Sequence, residues 1–250
     1  MNITSDQLKS IHKKMFEAIG GESNPDIKVY RGRARVITRD VFFRETVWAI
    51  WVAGKSRAAA DSFLNRALQK GWVCDFQVIA SWDEERRTQF IRSLHGWTTV
   101  SGLPRSRPVP WGAIARWNSI FELAGELTKF ETEQTFSNEF FAGKKDTASL
   151  DMSDAQRLVR RRIPFVKEVT AHFIIRNMGA ETIKVDRWVQ EFFNYYSLSK
   201  YDVEQLLGKA GIPLGLFDAV LWSYCEMFVR ETKALRKHFS NPEHIPAFLG

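Results

Sequence analysis

Two cysteines, Cys74 and Cys225, are all that 250 residues contain. That is too few for a disulfide framework or for the iron–sulfur cluster that four cysteines hold. The five histidines are scattered without the spacing of a ligand set, so neither a metal nor a cofactor is expected. No apolar run reaches the length of a membrane span. The opening, MNITSDQLKSIHKKMFEAIG, lacks the apolar core of a signal peptide. Strand-like alternation is scarce, and no segment repeats. These absences lead us to expect an intracellular, cytoplasmic protein with no membrane partner.

Helical periodicity is what remains, and it predicts an all-α fold. Leu8, Ile11, Met15, Phe16 and Ile19 mark a first helix over about 5–19, stopped by Gly20-Gly21. Pro25 and the basic stretch Lys28–Arg39 read as a loop. Asp40–Val52 is apolar nearly all round, which suggests a buried helix. Ser56–Lys70 follows, with Ser56 as its expected N-cap and Gly71 as its stop. Further helices are expected near 75–80 and 83–94, the second with acidic residues at its positive end. Ser101–Pro110, with three prolines, must be a loop. Ile114–Phe130 reads as helix, and Glu131–Asp151 as a polar, mobile loop. Helices near 153–162, 167–178, 187–196, 202–208 and 215–237 complete the pattern.

The net charge is +7, from 36 basic against 29 acidic residues. Such a balance suits a polyanion, because each neutralised phosphate releases counterions. The basic residues also cluster: Arg31, Arg33 and Arg35; Arg105 and Arg107; and the run Arg160, Arg161, Arg162. Nine tryptophans and nineteen phenylalanines supply a thick core, or in part a pocket in which a base can stack.

The most informative block is Ala155–Phe193, AQRLVRRRIPFVKEVTAHFIIRNMGAETIKVDRWVQEFF. A helix ends in the arginine run, and the short turn Ile163-Pro164-Phe165-Val166 follows. A second helix ends at Gly179, and Val185-Asp186 opens a third. The block resembles the helix-hairpin-helix and Gly/Pro…Asp signature of the DNA glycosylase superfamily that includes endonuclease III and the 8-oxoguanine glycosylases. Ile163-Pro164, Ala171, Gly179 and Val185-Asp186-Arg187-Trp188-Val189 are the matching pieces, and the fifteen residues from Ala171 to Asp186 fit the family spacing. Trp48-Ala49-Ile50 with Lys55-Ser56 is similar to the family's early helix and its wedge turn. Leu94-His95-Gly96-Trp97 and Ala115-Arg116-Trp117 look like its Gly-aromatic and basic region, and Leu221–Cys225 falls where its last core helix belongs. The resemblance implies one glycosylase-like unit over 1–250, two-lobed with a central cleft. Approximately 40–130 would form the core lobe with the wedge turn and 150–200 the hairpin with its aspartate. Residues 1–39 and 201–250 would complete the other lobe.

Several positions depart from the family pattern. Phe165 and Lys167 stand where the hairpin has glycines that let backbone amides approach a phosphate. Phosphate grip would then rest on the side chains of Arg160, Arg161, Arg162 and Lys167, with Lys55 and Arg116 as further DNA contacts. Ala53, Gly54 and Lys55 replace the glutamines of the wedge turn. The family's nucleophilic lysine position, two residues before Ala171, holds Val169.

The resemblance implies that Asp186 is the catalytic carboxylate. Cleaving an N-glycosidic bond gives the sugar oxocarbenium character, and a fixed carboxylate near C1′ stabilises that charge and polarises a water. An aspartate at a helix start is also an ordinary N-cap, and that reading stands beside the catalytic one. With valine at position 169, water is the expected nucleophile and an intact abasic strand the expected product. Lys167 is the alternative nucleophile for a bifunctional lyase, with the arginine run supplying the cationic setting such a lysine needs, although it lies about 200° around a helix from the family position. A helix-hairpin-helix DNA-binding protein without catalysis is a further alternative. Because the target base must leave the stack, Trp48, Trp51, His95, Trp97 and Trp111 are candidate pocket walls, and Glu45 and Asp218 candidate readers of a base edge; each is also a plausible core or surface residue. Double-stranded DNA is the implied partner of a monomer.

Overall fold

The computed structural model describes residues 3–33, 35–53, 57–94 and 111–229, and it is all-helical, with no strand among those residues. In chain order α1 (Ser5–Ala18), α2 (Pro25–Arg31), α3 (Arg39–Val52), α4 (Arg57–Gln69), α5 (Phe76–Ala80) and α6 (Glu84–Ser93) come first. α7 (Trp111–Leu127), α8 (Glu133–Phe141), α9 (Met152–Arg160), α10 (Glu168–Met178) and α11 (Arg187–Tyr196) follow. The last are α12 (Lys200–Ala210) and α13 (Leu214–Tyr224), which runs on into a π-helical turn, Cys225–Val229. Among the described residues no single helix is long and apolar enough to cross a membrane. The expected cap at Ser56 and the expected loop over 101–110 lie outside the described residues.

Side-chain caps start most of these helices. Thr4, Thr38, Asp75, Asp83, Thr132, Asp186 and Ser199 each accept hydrogen bonds from amides of the first turn that they head. Each satisfies a donor that the helix itself leaves unpaired.

Two expected loops are helices. In α2, Asn24 Oδ1 accepts from the Asp26 amide at 2.8 Å, and Pro25 takes the first position, where its missing N–H is no loss. α8 occupies the stretch expected to be a polar loop. Thr132 and Thr135 cap each other reciprocally, and Phe136, Phe140 and Phe141 turn inward onto Phe42, with ring centroids 5.4–5.6 Å apart. Polar neighbours masked both signals in the sequence.

The chain divides into two compact units. One comprises residues 1–35, 147–152 and 175–250, and the other 36–146 and 153–174. α10 begins in the second unit and ends in the first.

In the first unit α1 packs on α12 and α13, and α13 also meets α2 and α11. Leu8, Ile11, Met15, Phe192, Val203, Leu207, Phe217 and Leu221 form its core. In the second unit α7 packs on α3 and α5. Trp117 is the hub there, with Trp72, Phe90 and Trp51 at ring-centroid distances of 4.7, 4.9 and 5.2 Å. Such tilted and edge-on rings add attraction beyond the area they bury.

His12 is 9% exposed and stacks between Phe16 and Phe217, at 6.2 and 6.1 Å. Burial lowers its pKa to about 4, from an ordinary 6.5. The folded state therefore favours the neutral ring. Its contribution is complete above pH 6.5 and is lost as pH falls towards 4, amounting to about 3 kcal/mol at most by proton linkage. Thermal melts across this range should show the wild type losing more stability than His12→Leu. Parallel curves for the two proteins would refute the assignment.

Candidate functional site

Asp186 ends a short loop, 180–186, that joins α10 to α11 within the first unit. Gly179 opens the loop with a φ of +115°, and a Cβ there would lie 2.7 Å from Thr147 Oγ1. Both facts require glycine. Two carboxylates then fasten the loop. Glu181 accepts from the Tyr30 hydroxyl at 2.7 Å and from the Gly215 amide at 3.0 Å. Asp218, 1% exposed on α13, pairs with the Arg176 guanidinium through Oδ2 and accepts from the Lys184 amide through Oδ1 at 3.1 Å. Burial pushes the Asp218 carboxyl above its usual range, with Arg176 pulling the other way.

Within that frame Asp186 caps α11. Its Oδ1 accepts from the Trp188 and Val189 amides at 2.9 and 3.2 Å. Its Oδ2 faces the Lys184 amine at 3.4 Å, and both side chains are largely buried. Burial lowers the basicity of Lys184 and nearby Arg176 lowers it further, while Asp186 and Asp218 raise it. Glu191, on the same helix, keeps Oε2 buried without a hydrogen-bond partner among the described residues. The charges of Asp186 and Glu191 both act on buried Cys225, whose thiol is raised chiefly by burial. The arrangement therefore offers a fixed carboxylate with one oxygen against a buried amine, which is an acid and a base side by side.

The hairpin lies in the second unit. The Val166 amide donates to the Ile163 carbonyl at 3.0 Å, which closes a turn with Pro164 second and Phe165 third. Phe165 has a φ of +63° and Arg162 one of +53°. A turn with proline second and a positive φ third normally takes glycine at the third place. Phe165 thus holds a backbone shape that ordinarily takes glycine. Ile163 and Val166 are buried, and the Arg116 guanidinium lies over the Phe165 ring at 5.7 Å. Arg160, Arg162 and Lys167 are exposed around the turn. Arg161 pairs with Glu139 and also donates to its carbonyl.

Several residues expected to touch DNA have other employment. Arg116 donates to the carbonyls of Ile50 and Ala53, at 2.8 Å for the latter, and so caps the end of α3 instead of reaching outward. Trp51 is fully buried against Phe63, with centroids 3.8 Å apart, and belongs to the aromatic core, not to a pocket wall. Asp218 cannot read a base edge while both of its oxygens are held within the core. Glu45 pairs with Arg44 at 3.2 Å. Trp48 is half-buried on α3. Lys55, His95, Trp97 and the side chain of Trp111 lie outside the described residues. Lys184, Arg176 and Glu191 were missed by sequence reasoning. Only the place of Lys184 two residues before Asp186 could have drawn notice, and no periodicity marks a loop lysine as buried.

No family model, curated protein or solved structure matches the chain.

Asp218→Asn should strand the Arg176 charge in the core and cost about 3–5 kcal/mol in a urea unfolding experiment. The double change Arg176→Met with Asp218→Leu should recover most of that loss. A single variant within about 1 kcal/mol of wild type would show that the pair is solvated.

Proposed function

We propose that the chain is a DNA glycosylase of the helix-hairpin-helix type, which flips a damaged or modified base out of duplex DNA and hydrolyses its N-glycosidic bond. The observation that carries this reading is the setting of Asp186. The aspartate that the sequence pattern places after the hairpin sits at the head of a helix and caps it. It stands in a loop held by buried polar contacts and keeps one oxygen clear of the capping bonds. The glycine-like turn at Phe165 and the exposed Arg160, Arg162 and Lys167 support the DNA-binding half of the reading. Water is the proposed nucleophile, since position 169 is valine and Lys167 is an exposed side chain. The substrate classes to test are oxidised, alkylated and deaminated bases, and bulky enzymatic modifications such as those of viral DNA.

The test is base release from a panel of modified duplexes, with mass detection of the freed base. Asp186→Asn should keep the cap, because asparagine caps as well as aspartate. It should slow release roughly 100- to 1,000-fold by removing the charge. Turnover near the wild-type rate would remove Asp186 from the chemistry. A second reading, DNA binding without catalysis, is favoured by the engagement of both Asp186 oxygens within the protein; duplex binding with no release from any substrate would establish it.

DNA affinity provides a separate check. Changing Arg160, Arg162 and Lys167 together to alanine should weaken binding to all sequences alike. It should also lower the salt slope by about one for each phosphate that is no longer neutralised. Arg161→Ala should change the slope less, because Glu139 already neutralises that side chain. Equal slopes for the triple variant and the wild type would place the cluster away from DNA.

A further inference from the structure

A departing base needs a proton, and Asp186 is committed to the sugar and the water. Its Oδ1 is held by two backbone amides, and its Oδ2 points at the Lys184 amine, 3.4 Å away. An ion pair that served only to staple the loop would be redundant. The Lys184 backbone is already fixed by Asp218, and the Asp186 amide donates to the Lys184 carbonyl at 2.8 Å. The amine is also poorly placed for a surface salt bridge, being 14% exposed beside the equally sheltered carboxylate.

We propose that Lys184 is the general acid of the site, working with Asp186 as a pair that returns a proton to its starting place after each turnover. The proposal rests on the glycosylase reading. As the C1′–N bond breaks, its electron pair goes to the base nitrogen, and Lys184 Nζ delivers a proton there. Water adds to C1′ and gives a proton to Asp186 Oδ2. The proton then crosses from Oδ2 to Nζ, which restores an ammonium beside a carboxylate. The sum is base and sugar plus water giving protonated base and the abasic hydroxyl, with no other reactant.

The surroundings suit the role. Arg176 and Asp218 face Lys184 from α10 and α13, and the charges of Asp186 and Glu191 both reach Cys225. Burial and Arg176 make the ammonium a better acid than a solvated lysine. Loss of its proton should therefore cut base release on the alkaline side of the profile, starting below the ordinary lysine range.

The experiment compares wild type, Lys184→Met and Lys184→Arg in single-turnover base release. It uses duplexes carrying the base that the panel identifies and a more acidic, halogenated analogue of it. Lys184→Met should slow release of the ordinary base about 100-fold, and release of the acidic analogue much less, because an acidic base departs without a donor. Lys184→Arg should be similarly slow and should lack the alkaline fall. If Lys184→Met slows both bases by the same factor, or if Lys184→Arg keeps the wild-type rate, the acid role is overturned while the glycosylase reading stands. If the wild type releases no base from any duplex, the glycosylase reading falls and takes the proposal with it. A methylated Lys184 amine, followed by carbon NMR, supplies a readout free of catalysis. It should titrate below the surface lysines, and lower still in Asp186→Asn. A titration matching the surface lysines would also overturn the proposal.

Discussion

The buried ion pair between Arg176 and Asp218 is the interaction on which the candidate active site hangs. Two desolvated charges contribute little net stability, because the attraction mainly offsets the loss of water. Their value here is positional. Arg176 stands near the end of α10 and Asp218 on α13, and the second oxygen of Asp218 holds the Lys184 amide. The loop between α10 and α11 is thus tied to two helices at once. Tight packing around it depends on absent side chains, since a Cβ at Gly215 would meet the Tyr30 ring at 2.9 Å.

Capping and chemistry are not rival accounts of Asp186. The two amides on Oδ1 are what a helix start needs, and they also hold the carboxylate in one place. Preorganised charge stabilises a developing cation without reorganisation at the moment of reaction. The other oxygen lies outside the cap and is turned towards Lys184, and the proposed chemistry would rest on it.

The second unit solves a different problem. A phenylalanine in the left-handed region costs about 1–2 kcal/mol. The turn nevertheless holds Phe165 there, exposed between buried Ile163 and Val166, with the Arg116 guanidinium over its ring. Arg116 in turn caps α3 and lies 5.8 Å from the ring of Trp51. The hairpin is thereby linked to the aromatic core through one guanidinium, and the residue expected to touch DNA instead supports the turn.

Periodicity and caps were legible in the chain because both are local. A helix relates residues three and four apart, and its cap acts within the first turn. The helical class, most helix positions and the standing of Asp186 at the head of α11 followed from that alone. α2 and α8 escaped because polar neighbours obscured a cap and a buried phenylalanine face. The partners of Asp218 and Lys184 were not legible. Arg176 and Asp218 lie 42 residues apart, and nothing in their neighbours tells a buried charge from a solvated one. Whether Arg116 faces out or caps α3, and whether Trp51 lines a pocket or fills a core, was likewise settled by which helices meet. Burial is a property of packing between distant segments, so only the tertiary structure could decide it.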